Sequence, residues 1–169
     1  MKPKNIIFTF LLALLSLSIL NLSAAESIEY SDEAGQKLLR YTRHGNIDGV
    51  EKSLKENNVN INIQNENGNT ALHLATITEK GCHEIVSKLL EYKADPNMKN
   101  NDGNTPLHLA AKNGQIVTLN LLLAKRADTI IQNNDKKTPL DLASAKGHNF
   151  SVKILEAATT VDFKPLKSE

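Results

Sequence analysis

The chain has 169 residues, enough for one domain with a short targeting segment. Hydrophobic residues make up 40%, charged residues 23% and aromatic residues 4%, which predicts a folded aliphatic core and excludes disordered and multi-span membrane proteins. The formal net charge of +1 provides no basic field for nucleic acid, and the single cysteine, Cys82, excludes an internal disulfide and a thiolate metal site.

Residues 1–25 are typical of a secretory signal peptide. Two lysines precede an uncharged run at 6–20, which as a helix would span about 22 Å, short of the ~30 Å of a bilayer's hydrocarbon core. Small residues then fit a cleavage site before Glu26. We therefore expect export, to the periplasm or the exterior if the source is bacterial, with a short linker at 26–33 and no stable membrane insertion after cleavage. An uncleaved N-terminal anchor is the alternative.

A nine-residue motif occurs three times in the rest of the chain. It reads NGNTALHLA at 67–75, DGNTPLHLA at 102–110 and DKKTPLDLA at 135–143, so the copies begin 35 and 33 residues apart. Each copy is followed by a glycine and then by a second apolar stretch at helical spacing. Self-similarity at this period predicts stacked units, each of which covers the apolar side of its neighbour.

Each unit is predicted to consist of a turn, a helix, a second turn and a second helix. Thr105 is an N-cap, and Pro106 follows at the first helical position, where its missing N–H does no harm. Gly114 ends this helix because glycine accepts a positive φ, and residues 115–124 form the second helix. In the last copy Asp141 completes a pattern like a capping box. The motif residues are Thr70, His73, Thr105, Pro106, His108, Thr138, Pro139 and Asp141.

This pattern resembles the ankyrin-repeat family, which shares the 33-residue period and the Thr-Pro-Leu-His signature. The resemblance implies an all-α solenoid of stacked helix-turn-helix units with hairpin-like turn tips. In chain order it implies a degenerate capping repeat at 34–64, repeats at 65–99 and 100–132, a partial C-terminal repeat at 133–157 and a flexible tail at 158–169.

The first and last units depart from the pattern. The first lacks the threonine cap and the Pro-Leu-His motif; its helices are predicted at 35–44 and 46–57, with a charged surface that suits the end of a stack. The last has Lys136 where the other copies have Gly68 and Gly103. If that turn is left-handed, the lysine costs on the order of 1 kcal/mol.

No set of residues indicates catalysis, and metalloprotease, serine-hydrolase and phosphate-loop motifs are absent from the sequence. His73 and His108 are equivalent in two copies, and the resemblance implies that this histidine hydrogen-bonds within the turn and cap. Cys82 and His83 are neighbours, and adjacent residues on a helix do not face each other. We expect no enzymatic activity, no cofactor and no metal. A hydrolase or redox protein that uses Cys82 is the alternative from another class.

The candidate partner surface comprises the turn tips and the exits of the first helices. The resemblance implies that partners meet the concave side of the stack. Asparagines at the tips offer hydrogen-bond donors and acceptors to a partner, although such turns favour Asn for their own geometry. Backbone geometry does not require the lysines at the ends of the first helices. The candidate residues are Asn65, Glu66, Asn69, Asn100, Asn101, Asn104, Lys112, Asn113, Asn133, Lys137 and Lys146.

The function expected from the resemblance is protein–protein interaction by a monomer that acts after export as a scaffold, an inhibitor or an effector-like binder. One alternative is an envelope-resident protein that protects or inhibits a partner enzyme. Another is a purely structural surface protein with no defined partner.

Overall fold

A computed structural model describes residues 33–56, 59–78 and 82–162. The predicted signal peptide at 1–25 lies outside these residues, as does all but the last residue of the predicted linker. Within the described ranges the chain forms eight helices and no strand, so the predicted all-α class is confirmed.

The helices form four consecutive pairs. In chain order they are α1 (33–43), α2 (Ile47–Leu54), α3 (Ala71–Ile77), α4 (Cys82–Glu91), α5 (Pro106–Lys112), α6 (Ile116–Ala124), α7 (Pro139–Ala145) and α8 (Asn149–Asp162). Within pairs α3 packs on α4, α5 on α6 and α7 on α8. Between pairs α3 packs on α5 and α5 on α7, while α4 lies between α2 and α6, and α6 contacts α8. Helices α3, α5 and α7 therefore form one row, the inner row, and α2, α4, α6 and α8 form the outer row.

An aliphatic core fills the space between the two rows. Leu72 and Leu107 of the inner row are fully buried, as are Leu89, Leu119 and Leu155 of the outer row. Burying a side chain of this size contributes about 1.5–3 kcal/mol, whereas an isolated helix of seven residues is unstable in water. Packing between units therefore holds these short helices in place.

The observed boundaries differ from the predicted ones at the start of the stack. Residue 33 is already helical, so it belongs to α1 and not to the predicted linker. Helix α2 ends at Leu54, before the predicted end at 57, and Asn46 caps it by accepting a hydrogen bond from the backbone N–H of Gly49.

The last helix is longer than predicted. Helix α8 continues to Asp162, so residues 158–162 are helical and are not part of a flexible tail; 163–169 lie outside the described residues. The hydroxyl of Thr159 donates to the carbonyl oxygen of Leu155 at 2.8 Å and contacts the hydroxyl of Thr129 at 3.2 Å. The contact with Thr129 ties the additional turn to the preceding repeat. No helix in the described part of the chain is long and apolar enough to cross a membrane.

Candidate partner-binding surface

The two equivalent histidines lie inside the stack. The backbone N–H of Thr70 donates to Nδ1 of His73 at 3.2 Å, and the Thr70 hydroxyl lies 2.8 Å from the same nitrogen. Because Nδ1 accepts, the proton of the neutral ring is on Nε2, which donates to the carbonyl oxygen of Asn104 in the next repeat at 3.0 Å. His108 repeats the arrangement, with Thr105 as its cap and the carbonyl oxygen of Lys137 as its acceptor at 3.0 Å.

Burial makes both rings poor proton acceptors. Neither side chain is exposed, and this desolvation lowers the pKa of His73 to about 4 and also lowers the pKa of His108. Both histidines are therefore neutral near pH 7. They link each helix cap to the following repeat, and their geometry indicates no catalytic role.

Asp141 occupies the equivalent position in the last repeat and makes only the cap. Its carboxylate accepts hydrogen bonds from the backbone N–H and the hydroxyl of Thr138, both at 2.8 Å, and these bonds lower the pKa of Asp141. Within the described residues no further repeat presents a carbonyl oxygen to this position. A side chain that only accepts hydrogen bonds, such as that of Asp141, is therefore sufficient at this position.

The asparagines of the turn tips form a ladder between repeats. The Oδ1 atoms of Asn65, Asn100 and Asn133 each accept from the backbone N–H groups two and four residues ahead, which closes each turn. The side-chain amide of Asn100 donates to Oδ1 of Asn69 at 2.9 Å, and that of Asn133 donates to Oδ1 of Asn104 at 2.8 Å. Asparagine at these positions therefore joins consecutive tips.

This ladder buries part of the predicted partner surface. Asn69 and Asn133 are only 9% and 7% exposed, and both side chains are hydrogen-bonded within the stack, so these two candidates offer a partner little surface. The sequence contains a pattern that indicates these hydrogen bonds between tips. Asn65, Asn100 and Asn133 occur at the same position of successive repeats, and such periodicity is typical of contacts between repeats.

The other candidate residues remain at the surface to different degrees. Asn101 is exposed, but its side-chain amide donates to the carbonyl oxygen of Glu66 at 2.8 Å. Asn113 is also exposed and donates to the carbonyl oxygen of Thr76 at 3.3 Å. Half-buried candidates are Asn65, Asn100 and Asn104, and the exposed charged candidates are Glu66, Lys112, Lys137 and Lys146.

Two open clefts lie between the turn tips and the inner helices. One, of about 530 Å³, is lined by Arg43 of α1 and by tip residues that include Glu66. The other, of about 240 Å³, lies between Lys112 of α5 and the tip residues Asp102 and Asp135. We call this pair the tip groove. Basic side chains on its helix side face acidic side chains on its tips, so it can meet both charges on a partner.

The described part of the chain brings no metal-ligating side chains together in a group. Among the described residues no three His, Cys, Asp or Glu side chains are placed to hold an ion. Cys82 begins α4, but its side chain lies outside the described part of the structure, so the cysteine-dependent alternative stays a hypothesis.

Comparison with known proteins agrees with this architecture. The family model "Ankyrin repeats (3 copies)" matches residues 38–133 and 77–164. Acyl-CoA-binding domain-containing protein 6 from Homo sapiens is 34% identical over 61 residues, and its counterpart from Bos taurus is 37% identical over 60 residues. Each alignment covers 36% of this chain and 21% of the relative, so the chain matches about a fifth of the length of these relatives. Because the family model covers more than half of the chain and the described helices form a two-row stack, the chain belongs to the ankyrin-repeat family.

Proposed function

We propose that this protein acts by binding another protein along the tip groove. The observation that carries the proposal is the ladder of hydrogen bonds that fixes consecutive tips while Glu66, Lys112 and Asp135 stay exposed beside them. A surface held in place before binding loses less conformational entropy when a partner docks. The groove is therefore a preorganised binding face with no chemistry of its own.

The mixed charge of the tip groove supports recognition by electrostatic complementarity. Arg43 and Glu66 both line one cleft, and Lys112, Asp102 and Asp135 line the other; both clefts are open, so water screens these charges. Such charges speed association and select partners more than they add affinity. Binding is therefore expected to weaken as salt rises.

Site-specific photo-crosslinking in the producing cells tests the binding function. A photoreactive residue at Glu66 or Asp135 should yield discrete adducts with one protein, whereas the same residue at Asn120, exposed on the outer helix α6, should not. Adducts from all three positions, or from none, would contradict the proposal and favour a purely structural role. An activity assay of a captured enzyme with and without this protein would then test the protective or inhibitory alternative.

We also propose that the protein acts after export, on the basis of the charged start, apolar run and small-residue exit at 1–25. Mass spectrometry of the protein from fractionated cells should find an N-terminus at Glu26 outside the cytoplasm. An intact N-terminus in the membrane fraction would favour the anchor, and an intact N-terminus in the cytosol would refute export.

The cysteine-dependent alternative is tested separately. Cys82→Ser should leave partner capture unchanged, since Cys82 begins the outer helix α4 and the proposed contacts are made by the turn tips and the inner helices. Any activity abolished by this substitution would overturn the non-catalytic interpretation.

A further inference from the structure

We propose that a second surface, where inner helices end and outer helices begin in the last three repeats, binds a partner segment that combines acidic and apolar side chains. The inference rests on the proposed protein-binding function and names the chemistry of the partner. It concerns a surface that shares Lys112 with the tip groove, and it is tested through residues outside that groove.

The shape of this surface is concave and continuous. One cleft, of about 630 Å³, is lined by Ile77, Lys112, Asn113, Gln115, Lys146 and His148. A second, of about 290 Å³, shares His148 with the first and extends past Ile116 to Phe150 and Ser151. We call the two together the edge clefts. His148 is held between them, because its Nε2 lies 3.0 Å from the carbonyl oxygen of Lys112.

The charge of the edge clefts has one sign. Lys112 and Lys146 are exposed, and none of the described residues that line either cleft is acidic. The stretches 103–127 and 142–155, which supply most of this surface, contain no Asp or Glu at all. The described lining of the clefts is therefore basic, and it attracts carboxylates.

Apolar side chains stand beside these lysines. Phe150 is 72% exposed, Ile77 52% and Ile116 39%, and all three line the edge clefts. Covering them would remove apolar area from water, which favours association. An apolar partner side chain next to a carboxylate fits both features.

Two buried polar atoms at the edge clefts have no hydrogen-bond partner in the described part of the structure. They are Oε1 of Gln115, in the first cleft, and Oγ of Ser151, in the second. Both atoms are buried, so a docked segment reaches them only if neighbouring side chains move. A lipid surface would touch the protruding Phe150, but it is too flat to fill the concave clefts that an extended peptide segment can enter. A protein segment is therefore the better occupant.

The test uses a random peptide library displayed on phage and panned against protein purified from cells that express the full chain. Enriched peptides should combine Asp or Glu with aliphatic or aromatic residues. Their affinity, measured by fluorescence anisotropy, should fall about tenfold for Lys146→Glu and for Phe150→Ser. Neither residue lines the tip groove, so these variants leave the proposed binding function intact.

Matched controls lie elsewhere on the same fold. Lys125→Glu changes an exposed lysine that, like Lys146, directly follows a helix, and Ile130→Ser removes an exposed apolar side chain away from the clefts. Both should bind the peptides as the parent does, and circular dichroism should show that all four variants fold.

Three outcomes would overturn the inference: enriched peptides without acidic residues, equal binding by the cleft and control variants, or binding only to phosphatidylglycerol vesicles. A partner crosslinked through Glu66 whose capture is unaffected by Lys146→Glu and Phe150→Ser would also refute it, while leaving the proposed function in place.

Discussion

At the left-handed position of the turn tips, the residue type that fits depends on whether another repeat packs against it. Gly68 and Gly103 have φ of 71° and 76°, and a Cβ at Gly103 would lie 2.7 Å from the backbone nitrogen of Asn134 in the next tip. Lys136 has φ of 60°, so the left-handed turn at this position is confirmed, but no described repeat follows it. A side chain is therefore sterically possible at 136 and excluded at 103.

Gly103→Ala should destabilise the protein more than Gly147→Ala does. Both glycines have a positive φ, so each substitution costs about 1 kcal/mol in backbone strain. Only Gly103 adds a collision with the neighbouring tip, because a Cβ at Gly147 meets nothing within 4 Å. Urea unfolding measures the difference, and equal losses would refute the stacking of tips described above.

Lys136→Gly should raise the free energy of unfolding by about 1 kcal/mol, because glycine relieves the left-handed strain. Thermal unfolding should show a midpoint a few degrees higher. The neighbouring Lys137→Gly, where φ is not positive, should lower the midpoint or leave it unchanged. An unchanged midpoint for Lys136→Gly would count against this turn geometry.

The buried histidines should make the protein less stable in mild acid. Burial lowers the pKa of His73 from 6.5 to about 4, so between these values the unfolded chain binds more protons. Stability is then complete above about pH 6.5 and falls by about 3 kcal/mol as pH drops to 4. His108 acts in the same direction. Denaturant unfolding at several pH values should show this loss, and His73→Gln should flatten it.

At the scale of elements, each short inner helix depends on its cap and on the repeat that follows. Helices α3, α5 and α7 each have seven residues and begin at a threonine whose cap includes the third helical residue. That residue is His73 or His108 where another repeat follows, and Asp141 where none is described. The choice follows from hydrogen bonding, because histidine can accept at the cap and donate to the next repeat at once.

Replacing the histidine of the cap with aspartate should destabilise the protein more than the reverse substitution in the last repeat. His108→Asp buries a carboxylate and leaves the carbonyl oxygen of Lys137 without its donor, so we expect a loss of about 2 kcal/mol or more. Asp141→His keeps an acceptor at an exposed cap and should change stability by less than about 1 kcal/mol. Guanidinium unfolding of the two variants checks this order. A larger loss for Asp141→His would show that the inter-repeat bond contributes little.

At the scale of the whole molecule, stability depends on contacts between neighbouring repeats. Helices α7 and α8 cover α5 and α6, and they bring Ala143 and Leu155 into the continuous core. In such arrays the free energy of unfolding is close to a sum over repeats and their interfaces. The end repeats therefore contribute to the folding of the middle ones.

Ending the chain at Gln132 should lower both the free energy of unfolding and its dependence on urea, because α5 and α6 lose their cover and less surface is buried on folding. Urea titration followed by circular dichroism measures both quantities. An unchanged urea dependence would mean that the last repeat does not unfold together with the rest.

Much of this protein follows from the sequence by itself. The period of the motif, the threonine caps, the all-α class and the left-handed turn at Lys136 are local consequences of residues close together in the chain. The elongation of α8 was not predicted, since its support comes from contact with Thr129 of the preceding repeat.

The candidate site was decided by the tertiary structure. The sequence alone places Asn69 and Asn133 at the surface. Stacking brings together tips that are about 30 residues apart in sequence, and their side chains then hydrogen-bond to each other. Likewise Lys146 and Phe150 show no motif, and they border the same clefts only because α7 and α8 pack beside α5 and α6. Local sequence thus determines each repeat, whereas the spacing between repeats decides which side chains are buried and which remain for a partner.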